Sequence, residues 1–153
     1  MLITLLIWLY ITFLSYTYGS AFLFTYQKIT KKTIGNIYTP IIVLIGLSLI
    51  AGLGMYLSLF MKLGLWANII LSTGAIALVV SKQYVPARPR IEVSWQYIFW
   101  TVLVGLAFVY TLEAATHTPS SSDTSLYHAQ AIRWVENYRV VPGLGNLHGR
   151  LAF

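Results

Sequence analysis

The side chains equipped for chemistry gather toward the C-terminal end of the chain: Asp123, Tyr127, His128, Arg133, Glu136, Arg139, His148 and Arg150. Tyr127 falls one helical turn after Asp123 and His128 adjoins it, so on a helix the three converge near its start. A carboxylate there is suited to act as base toward an acceptor hydroxyl or to hold a divalent cation, with the histidine sharing proton transfer or binding phosphate. The positive end of the helix dipole favours anions at the same place. Asp123 reads equally as a helix N-cap, its oxygen accepting a backbone N–H bond. His128 has a plain alternative as well, a hydrogen-bonded interface residue. Arg133, Arg139, His148 and Arg150 suit charge-assisted bonds to phosphate, or snorkelling to lipid headgroups. Arg133 and Glu136, three residues apart, also read as an exposed helical pair worth a few tenths of a kcal/mol, ~0.3.

These groups need an element to position them. A polar, turn-forming exit at His117, Thr118, Pro119 and the serines that follow precedes an expected helix over about 124–138. Within it Tyr127, Ala131, Trp134, Val135 and Tyr138 recur at three- and four-residue intervals, while Gln130, Arg133 and Asn137 form another side. Such a helix is amphipathic and lies along a bilayer surface or against a helical bundle. Pro142, Gly143 and Gly145 then end it and bend the chain.

Everything upstream is apolar. Of the 153 residues 58% are hydrophobic and 9% charged, against roughly 25% charged in an ordinary soluble domain, and the mean hydropathy is +0.72. The expectation is an all-α membrane protein: four transmembrane helices at about 2–26, 40–60, 65–80 and 95–112, making a bundle over 1–116, then an extracytoplasmic segment over 117–153 with its amphipathic helix. The first span lacks the basic n-region and small-residue cleavage site of a signal peptide. In the second, Ser48, Gly52, Gly54 and Ser58 include pairs at four-residue spacing, a pattern that permits close helix approach. Tyrosines and tryptophans near the span ends suit the headgroup level.

The basic residues separate the two sides. Lys28, Lys31 and Lys32 cluster after the first span, and Lys82, Arg88 and Arg90 after the third, whereas the turn after the second holds Lys62. By the positive-inside rule the first two connections are cytoplasmic, which leaves the N-terminus and the C-terminal segment extracytoplasmic. Spread in this way, the net charge of +6 marks topology and not a nucleic-acid surface. With no cysteine there are no disulfides and no thiolate metal sites. No phosphate-cradling glycine loop, zinc-protease motif or hydrolase nucleophile elbow is present, and the GLGNLHG run lacks the strand and helix of a dinucleotide site. No span centre carries the ionisable residue that marks an ion pathway. No cofactor is called for beyond a divalent cation at Asp123.

The run S-x-D-T-x-L-Y-H-x-Q-x-I-x-W from Ser121 to Trp134, with V-P-G-L-x-N-L-H-x-R from Val141 to Arg150, resembles a family of bacterial polytopic membrane proteins similar to integral-membrane glycosyltransferases of the GT-C type. The resemblance implies a protein of the bacterial inner membrane that takes sugar from a polyprenyl-phosphate carrier on the extracytoplasmic side. Asp123 would be the acidic residue of the outer loop, and the helix after it would lie along the membrane. In this chain the acidic loop follows the fourth span and not the first, and Thr124 stands where a second acid is common. Such enzymes have many more spans, so the expectation is the N-terminal portion of a longer glycosyltransferase or cell-envelope polysaccharide protein. The alternative is a non-catalytic membrane subunit or scaffold whose outer helix meets a lipid or a membrane-protein partner.

Overall fold

A computed structural model describes residues 1–35, 37–82, 94–117 and 127–143, with only the backbone at Tyr97. Among these residues the chain is all-helical, with five helices: α1 (Leu2–Thr30), α2 (Thr39–Ser58), α3 (Leu65–Val80), α4 (Trp95–Ala114) and α5 (Ala129–Asn137). α1 runs a turn beyond the expected 26 and takes Lys28 into its last turn, where a cation suits the unpaired carbonyls. It stops at Lys31, whose φ of 54° is left-handed. α2 opens with Pro40 in its first turn, where the missing N–H has no helical partner to lose. α3 has the expected bounds, and α4 reaches two residues past the expected 112, to Ala114.

The described part of α5 keeps close to its sequence pattern, its α-helical end falling at Asn137 against the expected 138. Its nine α-helical residues follow a π-type turn at Tyr127 and His128, and Tyr138 is already extended with φ −130° and ψ 154°. The expected N-cap at Asp123 or a neighbouring serine lies outside the described residues.

α1 and α2 are long and apolar enough to cross a membrane, whereas α3 and the apolar part of α4, Ile98–Ala114, are shorter. Neither long helix is wrapped by protein as a soluble core helix would be. Leu2 is 70% exposed and Met55 73%, and the outward faces of α3 and α4 are likewise apolar.

The centre of the bundle is the antiparallel crossing of α1 on α2. A side chain at Gly19 would overlap the Ile42 carbonyl and lie 2.9 Å from the Gly46 nitrogen. One at Gly46 would overlap the Ser15 carbonyl and lie 2.8 Å from the Gly19 nitrogen. Ser15, Ser20 and Ile42 are buried around this point. The contact therefore does not use the expected pairs Ser48 with Gly52 and Gly54 with Ser58. At about 100° per residue, Ser48 and Gly52 lie on the far side of α2 from Gly46, and a side chain at Gly52 would meet open space.

α3 is joined to α1 by polar contacts. The Tyr10 and Ser72 hydroxyls are 2.8 Å apart, and Tyr18 Oη donates to the Leu71 carbonyl at 2.9 Å. Gly74 leaves room for that phenol, since a Cβ there would stand 2.5 Å from Tyr18 Oη. α4 leans on α1 through Trp8 and Phe108, edge to face with centroids 5.5 Å apart, and buries Leu112.

Gly46→Ala is expected to destabilise the chain by about 1–3 kcal/mol through overpacking, while Gly52→Ala leaves stability within about 0.5 kcal/mol of the parent. Unfolding of both variants in the same bilayer mimic measures the contrast.

Candidate functional site

The helices converge on a cleft at the end of the bundle where α2 turns into α3. Helix ends leave carbonyls without intrahelical partners, and here two such ends satisfy each other across the chain. The carbonyl of Ser58, last residue of α2, accepts from Val140 N–H at 2.8 Å. The carbonyl of Val135, in the last turn of α5, accepts from Leu63 N–H at 2.9 Å. Gly64 adjoins the contact, where a Cβ would stand in ordinary van der Waals contact with the Glu136 carbonyl, 3.5 Å away.

Seated in this way, α5 covers a cavity of about 710 Å³. α2 contributes Ile50 and Gly54 to its wall, α3 contributes Ala67 and Leu71, and α5 contributes Trp134 and Val135. The rings of Trp134 and Tyr138 lie 5.0 Å apart and stiffen the α5 side. Polar groups on the wall are already engaged at Ser58, whose hydroxyl donates to the Met55 carbonyl at 2.6 Å, and at Asn68, whose amide donates to the Gly64 carbonyl at 3.2 Å. Arg139 is the charged residue among the described lining, and it is exposed at the rim.

Among the described residues, the expected site residues fall at the two ends of α5 and along its exposed side. Arg139 is on the cleft, whereas Arg133 is exposed on α5 and Glu136 is exposed beside it. Tyr127 is half-buried and His128 exposed, with their rings 4.2 Å apart and tilted by 46°. They stand at the opposite end of α5 from Arg139, with about 14 Å of helix between. Asp123, His148 and Arg150 lie outside the described residues. Among the described residues no three of His, Cys, Asp and Glu are grouped to hold a metal ion.

Sequence reasoning missed Leu63 and Ala67 as walls of a cavity. The signal that pointed toward it was the spacing of Trp134, Val135 and Tyr138, which reads as a face seeking a neighbour without naming that neighbour.

Such an arrangement defines a class of protein: an apolar helical bundle with exposed greasy flanks and an amphipathic helix fastened across one end. The chain belongs to the family described as a domain of unknown function (DUF8201), whose model matches residues 1–153. No curated protein and no solved structure matches it.

Val140→Pro removes the N–H that bonds to Ser58 and leaves a carbonyl unpaired, a loss of about 1 kcal/mol. Amide exchange across residues 129–139 should accelerate about fivefold, with α1 and α2 unchanged, as followed by hydrogen exchange with mass analysis.

Proposed function

We propose that the chain is a multi-pass protein of the bacterial inner membrane in which α1 to α4 all cross the bilayer, with the N-terminus and α5 outside the cytoplasm. The observation that carries this is the fastening of α5 to the α2–α3 turn. α3 leaves that end of the bundle and α5 is back at it, and a return crossing by α4 accounts for this. The 20 residues of α4 span about 30 Å, the thickness of a hydrocarbon core. α3, with 16 residues, spans about 24 Å and is accommodated by local thinning of the bilayer. The exposed apolar flanks need a lipid environment, since contiguous patches of this extent are foreign to a water-facing surface. Lys28, Lys31 and Lys32 fall at the opposite end from α5, as an inner loop requires.

On that platform the functional reading is the N-terminal membrane portion of a GT-C-like glycosyltransferase or a related cell-envelope polysaccharide protein that uses a polyprenyl-phosphate-linked sugar. Asp123 is its acidic residue, Tyr127 and His128 assist proton transfer, and Arg133, Arg139, His148 and Arg150 meet phosphate or substrate. The amphipathic helix at the outer end supports this reading, together with the motif that runs through it. A second reading, a non-catalytic subunit, is favoured by one feature: α4 presents Val104 and Leu106, 62% and 67% exposed, to whatever flanks it.

Because the chain has no cysteine, single introduced cysteines report sidedness cleanly. Asn137→Cys is expected to react with an impermeant maleimide in intact spheroplasts, and Lys31→Cys only after lysis; the reverse pattern removes the orientation. In the complete protein Asp123→Asn should lower sugar transfer by at least about a hundredfold while membrane insertion is unchanged.

A further inference from the structure

We infer that the cleft beneath α5 holds the apolar chain of a membrane lipid whose anionic headgroup pairs with Arg139. The inference rests on the membrane placement proposed above and is independent of any sugar chemistry.

Three features of the cleft carry it. Its volume of about 710 Å³ is that of a ligand pocket. Its walls at Ile50, Leu71 and Val135 are aliphatic, and its polar neighbours Ser58 and Asn68 already spend donors on the backbone. Arg139 stands at the rim with a guanidinium, a group that binds phosphate and carboxylate in a forked geometry. An occupant of this site is therefore long and apolar with one anionic end. A free anion would leave the apolar walls bare, and a neutral hydrocarbon would leave the cation unmatched.

The position of the cleft fits the same occupant. It lies where α2 ends and α3 begins, which the proposed topology sets at the level of lipid headgroups, so a chain entering sideways from the bilayer leaves its head beside Arg139. α5 then forms one wall of a lipid site, seated by main-chain bonds to Ser58 and Leu63.

The test uses the full chain in phosphatidylcholine nanodiscs and two photoreactive probes of equal chain length, a hexadecyl phosphate and a hexadecanol, each carrying a diazirine. In the unaltered protein the phosphate probe should label residues 50–71 and 134–141 about tenfold more than the alcohol, the ratio a charge-assisted bond gives. Arg139→Gln should bring the phosphate probe down to the alcohol level. Gly54→Leu directs a side chain toward Leu63, whose Cδ1 would lie 3.8 Å from its Cβ, and should abolish cleft labelling by both probes while α4 labels as before. Three results would overturn the inference: equal labelling of the cleft by the two probes in the unaltered chain, phosphate labelling indifferent to Arg139→Gln, or competition by inorganic phosphate as strong as by the lipid phosphate. The first comparison needs no substitution and so stands whatever the variants do to folding. Because the probes carry no sugar, cleft labelling alongside normal transfer by Asp123→Asn keeps the lipid site and removes the transferase reading. An unlabelled cleft with transfer abolished does the opposite.

Discussion

Two backbones come within touching distance only where side chains are absent from both, and the crossing of α1 on α2 meets that condition through Gly19 and Gly46. In an apolar surrounding there is little hydrophobic drive to bring helices together, so close packing and interhelical hydrogen bonds have to supply the attraction. The crossing fixes how α2 is aimed and therefore where its C-terminal end delivers the turn into α3. Everything at the far end inherits that aim. If the crossing is forced apart, the cleft loses the α2 wall on which Ile50 and Gly54 stand.

Polar chemistry is used sparingly. Tyr10 to Ser72 and Tyr18 to Leu71 tie α3 to α1, and several other hydroxyls turn back onto their own helices, as Thr17 does to Phe13 and Ser48 to Leu44, whereas the buried Ser15 hydroxyl makes no hydrogen bond. An unpaired donor in hydrocarbon is expensive, of the order of several kcal/mol, so a helix that carries Ser and Thr through an apolar zone gains from this habit. α4 meets α1 through Trp8 against Phe108 and buries Leu112, and most of its described residues are exposed.

Much of the fold was readable from the residues alone, and the divide between what was and was not readable has a physical cause. Uninterrupted apolar runs locate α1 to α4 because no other element hides twenty or so such residues from water, and Pro40 or the Met61–Gly64 turn marks where they break. Helix ends moved by a few residues at most, as at α1, which continues through Lys28 to Thr30, because apolar periodicity does not mark the last turn. The face that α2 uses was misread because small residues occur on several of its sides, and only the partner helix selects Gly46. At the C-terminal end of α5 the backbone turns extended at Tyr138 and the next residue, Arg139, is on the cleft, while Arg133 stays exposed on the polar side that the periodicity assigned to it.

The seat of α5 consists of main-chain groups bonded to main-chain groups. Such a mooring is blind to what the side chains are: outward positions such as Gln130, Arg133 and Asn137 are free to be exchanged without slipping the helix from its berth. Where the helix sits is thereby uncoupled from what its outward side chains are.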